Sequence, residues 1–456
     1  MLRRKARRMS SPERAALELS LRPAYRPKPL RISMTNAVVA LLVVLGVGGI
    51  AAYVSRIAGD GGRESWAYPT AVLMVLISFV SAAPLIAYAS RATRGYWGLP
   101  SRRIAELFVI PSLLSMVILI PVMMTLPPLK GRANLWFDFA WGAPFFTDVL
   151  ALGIMLVAGL ALLWVSLVPD LAANVGDMNK LPRWRRMLLL NWKGSVRNWK
   201  TVRVTVKVLG AFYLMAYVFV AMVLTTDLGQ SLMPGWRSGV FPAYHLISGI
   251  QGGVAAIIIV SWLIRRFSPE AGQFIGNEQA LNLGKLLLGL TLLWFYFFYS
   301  DFIVVWYGRK PSEVAAVQVQ TASVYLVPFL IAVFCQLLIP IALLIFNGVR
   351  RNLNLLAPVA LIVIVGQIFD RIRLFVPAMT SEDPFAHSYE ELPNAVGPDL
   401  IDILFIVGFL ALAALAYLWA ARRFPIHSGW ELREGAMLRE ERKFMKTEVL
   451  VLGKPD

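Results

Sequence analysis

A few ionisable residues sit inside long apolar stretches, and their spacing points to proton and ligand chemistry. His245 lies in Phe241-Pro242-Ala243-Tyr244-His245-Leu246, and Asp301 closes the aromatic run Trp294-Phe295-Tyr296-Phe297-Phe298-Tyr299-Ser300-Asp301. In a third apolar block, Gln367 precedes Asp370, Arg371 and Arg373. Helical spacing puts His245, Ser248, Gly249 and Gly252 on one face, and Trp294, Phe297, Phe298 and Asp301 on one face of another helix. Asp370 and Arg373 are a turn apart and can pair along their helix. A histidine beside carboxylates moves protons near neutral pH. Aromatic walls stack on a flat ring, and Tyr, His or Arg donors bond its carbonyl oxygens. A quinone suits such a place, so Tyr244, His245, Trp294, Asp301, Trp306, Asp370 and Arg371 are the expected quinone-binding residues.

A second set is made of carboxylates for proton transfer: Glu106, Asp148 and Asp170. Asp148 opens one apolar block and Asp170 follows it. At 1.5 Å rise per residue they stand roughly 33 Å apart, suited to the two mouths of a proton path with Glu106 beside one of them.

The elements that must position these residues are membrane spans. Of 456 residues, 58% are hydrophobic and only 16% charged, too apolar for a soluble or a disordered chain. The apolar residues form ten blocks of bilayer length, at about 34–57, 68–90, 104–126, 147–168, 205–226, 241–264, 284–305, 321–347, 355–376 and 400–421. Ionisable groups within such blocks are costly and mark function. The first block follows a basic segment, 1–33, but is over twenty residues long and lacks a clean cleavage site. It reads as a retained span rather than a signal peptide. The net charge of +18 does not imply nucleic acid, because the basic residues fall in short loops. Lys and Arg number 35 on the side of the N-terminus against 7 on the other, which places both termini in the cytoplasm of a cell bounded by its inner membrane. The chain then divides into a basic segment 1–33, a membrane domain 34–421 and a cytoplasmic tail 422–456. His245, Asp148, Asp301, Asp370, Arg371 and Arg373 all fall toward the outer ends of their spans.

Two connections are long. Residues 169–204 carry Trp184, Trp192 and Trp199 among basic residues and read as an interfacial helix on anionic lipid; residues 377–399 are acidic. The outer loop 228–239 holds Met233-Pro234-Gly235-Trp236-Arg237-Ser238, and its Pro-Gly turn is expected to present Trp236 and Arg237 to an extramembrane partner. Several classes are excluded. Cys335 is the only cysteine, so the chain holds no internal disulfide and no cysteine-ligated iron–sulfur cluster. Only one histidine lies in a span, too few for bis-histidine haem. No phosphate-binding glycine loop is present.

Scattered pieces in order along the spans resemble the NrfD/PsrC membrane subunits, most closely the long ten-span subunits of alternative complex III. They are Arg103-Ile104-Ala105-Glu106, Asp148, Pro169-Asp170-Leu171-Ala172, Pro234-Gly235-Trp236-Arg237-Ser238, Phe241-Pro242, Trp306-Tyr307 with Pro311 and Glu313, and Phe369-Asp370-Arg371. The resemblance implies an all-α membrane protein of two four-helix bundles, about 68–226 and 241–376, flanked by one helix each. It implies a menaquinone or ubiquinone substrate, an iron–sulfur/molybdopterin-type partner, a multihaem cytochrome subunit and further membrane subunits. The quinol-oxidising version is expected to carry a histidine in span 2, which this chain lacks. The alternatives are therefore a paralogous structural or proton-conducting subunit without quinone turnover, or a membrane transporter.

Overall fold

The computed structural model describes residues 33–59, 61–128, 132, 143–173, 175, 182–322, 324–444 and 447–452. Ten helices among them are long and apolar enough to span a bilayer: α1 Asn36–Ala58, α2 Arg63–Ala92, α3 Tyr96–Met124, α4 Phe145–Ala173, α5 Val196–Leu232, α6 Phe241–Phe267, α7 Asn277–Gly308, α8 Leu326–Leu344, α9 Leu353–Met379 and α10 Leu400–Arg423. The ten blocks of the sequence become these ten helices. The protein is an all-α membrane protein. An even number of crossings puts the start of α1 and the end of α10 on one face, here called proximal; the other is distal.

α2 is the central helix. It packs against α3, α5, α6, α9 and α10, and its apolar stretch is wholly buried within the protein. α1 packs mainly on α10 and otherwise faces outward. Small residues set the closest approaches. A Cβ on Gly49 would meet the backbone of Gly408 across the α1–α10 contact. A Cβ on Gly253 would meet the backbone of Ala82 and Ala83 in α2, so α6 lies directly against α2.

Two spans are locally widened. α2 contains a π-turn at Leu76–Val80 and α8 one at Phe334–Leu338. Such turns concentrate at functional sites because they redirect side chains and free backbone groups. In α8, Pro340 has no N–H for the Gln336 carbonyl four residues back, and Gln251 Nε2 of α6 donates to that carbonyl at 3.2 Å. In α2, Tyr217 and Tyr213 of α5 donate to the carbonyls of Ser78 at 3.3 Å and Ser81 at 2.6 Å. Polar side chains from neighbouring helices thus satisfy carbonyls around both irregular segments, as a bilayer interior demands.

Each face is tied by ion pairs. On the distal face Arg56 at the end of α1 bonds Asp399 at 2.7 Å and Asp402 at 2.8 Å, at the start of α10. On the proximal face the segment after α10 is a folded element rather than a simple tail. His427 places one ring nitrogen 2.8 Å from the Pro100 carbonyl and the other 2.9 Å from that of Ala271. Helix α11, Gly429–Leu438, follows, and strands β1, Arg439–Phe444, and β2, Thr447–Leu452, pair antiparallel after it.

Candidate functional site

Four spans bring their polar groups together at the level where α6 crosses α2. Ser78 comes from the π-turn of α2, Tyr244, His245 and Ser248 from α6, Gln336 from the π-turn of α8, and Gln367, Asp370, Arg371 and Arg373 from α9. Glycines make the approach possible: a Cβ on Gly249 would strike the Tyr217 hydroxyl, and one on Gly252 would strike Gln367 and Phe79.

Every nitrogen of the Arg371 guanidinium is bonded. Its Nε donates to Ser78 Oγ at 2.9 Å, Nη2 to Ser248 Oγ at 3.0 Å and Nη1 to Asp370 Oδ2 at 2.5 Å. Arg373 Nε donates to Asp370 Oδ1 at 2.9 Å and its Nη2 to Tyr244 Oη at 2.9 Å, while Tyr244 donates to Asp370 Oδ1 at 2.7 Å. Two guanidiniums therefore share one bonded carboxylate, Asp370.

The hydrogen bonds at Ser78 fix the state of His245. Ser78 Oγ spends its single proton on the Met74 carbonyl at 2.6 Å and accepts from Arg371. His245 Nε2 lies 3.2 Å from that oxygen and must donate to it. In a neutral imidazole the other nitrogen is then an acceptor. Among the described residues nothing bonds His245 Nδ1, and the same holds for Gln251 Oε1, Gln336 Nε2, Gln367 Oε1 and Trp294 Nε1, all buried. So many unsatisfied polar atoms in one place point to a site for a ligand or for water. The walls are aromatic: Tyr244 lies 5.5 Å from Trp294, Trp294 stacks on Phe298 at 5.1 Å, and Phe375 meets His245 edge-on at 5.7 Å.

Of the residues expected to bind quinone, Tyr244, His245, Trp294, Asp370 and Arg371 meet in this cluster. Asp301 lies beside it, accepting from Ser238 and interacting electrostatically with Arg373. Trp306 does not join. It is 63% exposed and packs on Tyr307. Twelve residues beyond Trp294, it points roughly 120° away around the same helix. Ser78 and Gln336 carry no signal in the sequence, since a serine or glutamine in an apolar block is unremarkable without the π-turns that aim it, and Gln251 is equally unremarkable in its regular helix.

An apolar cavity of about 410 Å³ runs from this level toward the proximal face, lined by Phe79, Ala256, Val260, Ile364, Leu410 and Tyr417 among others. Phe79 is the neighbour of Ser78 in the chain.

The carboxylates fall into two separate places. Near the proximal face Glu106 bonds Arg91 and accepts from Ser166 at 2.7 Å, and Arg103 bonds Asp170 at 2.9 Å. α11 closes this group. Its Glu431 bonds Arg91 at 2.8 Å and Arg102 at 2.9 Å, and the Trp430 amide donates to Asp170 at 3.1 Å. Burial alone would raise the Glu431 pKa, but Arg91 and Arg102 outweigh it and hold the carboxyl at about 2. At the other end of α4, buried Asp148 accepts from Thr147 at 3.2 Å and interacts electrostatically with buried Asp227 of α5. Asp227 is a partner that sequence spacing does not reveal.

The outer loop differs from its expected form. Trp236 is 4% exposed and packs on Phe241 at 4.4 Å, because the turn at Gly235 (φ 73°) folds against Ser312 at the start of the helix Pro311–Thr321. Arg237 alone of the pair faces outward.

A family model described as Polysulphide reductase, NrfD matches residues 57–381. That stretch holds α2 to α9 and every residue of the polar cluster. No curated protein matches the chain.

Proposed function

We propose, for a chain that belongs to the NrfD polysulphide reductase family, the role of a quinone-interacting, non-haem membrane subunit of a respiratory oxidoreductase. The family implies a membrane subunit of quinol oxidoreductase complexes, and its members typically work with iron–sulfur subunits and other membrane subunits. The finer reading is that the cluster around His245 receives the quinone head and that electrons pass to or from an iron–sulfur partner, with a multihaem subunit beyond it as in alternative complex III. The quinone is menaquinone or ubiquinone.

One observation carries this reading: His245 is held with Nε2–H on Ser78, leaving Nδ1 as an unbonded acceptor beside the Arg371 guanidinium. An acceptor there can take the hydroxyl proton of a quinol. The positive charge of Arg371 and Arg373 favours the oxygen that loses the proton. Trp294 and Tyr244 flank the ring, and the apolar cavity beside Phe79 suits an isoprenoid tail. We place the proximal face in the cytoplasm of a cytoplasmic-membrane protein, from the 35-to-7 distribution of Lys and Arg, with Asp301 and the outward Arg237 on the side where the partner docks. The test is quinol oxidation by the purified complex carrying His245→Ala. Loss of general-base assistance should lower turnover by about 10²-fold or more. Full activity would remove His245 from the site.

A second reading is favoured by the buried pair of carboxyl groups Asp148 and Asp227. It makes the chain a proton-conducting paralogue without quinone turnover, with Asp148 at the distal mouth and Glu106 and Asp170 at the proximal one. Asp148→Asn and Glu106→Gln would then abolish proton translocation while quinol activity of the complex persisted. Unchanged translocation in both variants rejects it.

A further inference from the structure

The proximal face holds a second pocket, of about 680 Å³, between the end of α4, the start of α5 and α11. Neither the quinone reading nor the proton reading uses it. Three tryptophans form one wall: Trp192 meets Trp199 edge-on at 4.8 Å, and Trp199 meets Trp430 at 5.8 Å. Lys200, Arg203 and Arg433 line it with a single carboxylate, Glu434, which bonds Arg203 at 3.3 Å. Basic side chains therefore outnumber acidic ones around the pocket. Arg203 Nε is buried and has no hydrogen-bond partner among the described residues. The first turn of α5, capped by Ser195, opens onto the same space through Gly194 and Val196, adding the positive end of a helix.

The pocket continues into an apolar track. Val204 lines it, and Val208, Phe212, Met215, Phe219 and Met222 follow down one side of α5, all exposed on the protein's outer surface. Their spacing of three and four residues makes a straight stripe along the helix. A cationic, tryptophan-lined pocket where a spanning helix ends, leading into an apolar stripe of bilayer length, matches one kind of molecule: an anionic head on long hydrocarbon chains. Tryptophan belongs at the headgroup level, and basic side chains there attract acidic lipids.

We infer that this pocket binds the headgroup of an anionic glycerophospholipid, with the phosphate on Lys200 and Arg203 and an acyl chain along the α5 stripe. The lipid would join α4, α5 and α11, bracing the helix that closes the Glu106–Asp170 group.

The experiment uses the full chain in its purified complex, reconstituted in nanodiscs of phosphatidylglycerol or of phosphatidylcholine with the same acyl chains. Native mass spectrometry reads retained lipid, and thermal unfolding reads stability. Expected are retention of phosphatidylglycerol after detergent washing, a higher unfolding temperature than in phosphatidylcholine, and affinity about fivefold weaker for each of Lys200→Gln and Arg203→Gln. Lys285→Gln, on the same face but outside the pocket, should leave the preference intact and shows that general surface charge is not responsible. Equal behaviour in the two lipids, or unchanged retention in the Lys200→Gln/Arg203→Gln double variant, overturns the inference. So does an equal stabilisation by inorganic phosphate in phosphatidylcholine discs, which would make the pocket a site for a free anion. If an acidic segment of a partner subunit fills the pocket, the double variant loses that subunit and not the lipid, and the inference also fails.

Discussion

Ser78 and His245 meet 3.2 Å apart where α2 and α6 cross, and the serine decides which nitrogen of the histidine holds the proton. The serine can do so because its own proton is already committed to Met74. Ser78→Ala removes both the acceptor for His245 and the acceptor for Arg371 Nε. The imidazole would then lose its preferred tautomer while remaining in place. Quinol turnover should fall by roughly tenfold or more, and the unsatisfied buried donors should cost about 1–3 kcal/mol of stability. Steady-state kinetics on the variant complex, compared with His245→Ala, checks this. A Ser78→Ala complex with full turnover would separate the serine from function.

Asp370 is the only carboxylate bonded to Arg371 and Arg373 among the described residues. Asp370→Asn removes the one carboxylate that bonds both buried guanidiniums, a loss expected to cost about 3–5 kcal/mol. The complex should assemble poorly and unfold at a lower temperature. Adding Arg373→Gln should recover part of the loss, since it removes one of the stranded charges. A double-mutant cycle on unfolding temperature measures that coupling.

Close packing of α6 on α2 predicts a contrast between two glycines. Gly252→Ala would push a methyl against Phe79 and Gln367 and should destabilise by about 1–3 kcal/mol. Gly289→Ala has open space around it and sits inside α7, so it should be neutral or stabilise by up to about 1 kcal/mol. Thermal unfolding of both variants in the same detergent tests the pair. Equal effects would mean that α6 and α2 are not in contact at this level.

The pH response of α11 follows from Glu431. Its carboxyl ionises at about 2 when docked, against an ordinary value of 4.5. Docking therefore gains from the ionised form above pH 4.5, and that gain disappears as pH falls from 4.5 through about 2. Protection of the Gly429–Leu438 amides, relative to their intrinsic exchange rate at each pH, should be high and constant from neutral pH down to about 4.5, then fall on further acidification. Glu431→Gln should show weak protection throughout. Equal protection in the two proteins at neutral pH would show that the Arg91–Glu431–Arg102 bonds do not hold the helix.

The spans were legible in the sequence because a bilayer imposes length and hydropathy on each one separately. Their ends were less so: α5 begins at Val196 rather than near 205, since polar residues beyond the apolar block remain helical. His245, Tyr244, Asp370 and Arg371 stood out because charge and aromatic donors are rare in such blocks. Their partners did not. Ser78 and Gln336 reach the cluster only through π-turns, and Glu431 finds Arg91 across 340 residues of chain, a pairing with no local trace. Trp236 shows the reverse. Its neighbours Pro234 and Gly235 correctly announced a turn, but the direction in which the turn faces depends on Ser312, far along the chain.

The widened turn at Leu76–Val80 has a consequence for how α2 tolerates change. Each residue added to a helix rotates everything beyond it by about 100°. The extra residue in this turn lets the two halves of α2 keep different phases. The distal half aims Arg63 at the carbonyls of Met379 and Ser381, and the proximal half aims Arg91 at Glu106 and Glu431. A regular helix of one phase would serve only one of these ends. The turn works as a vernier between two anchor points, and Ser78 is located at the joint. Deleting one residue from Leu76–Val80 would return α2 to a single register. Either Arg63 or Arg91 would swing away from its partners, although every apolar residue of the span remained.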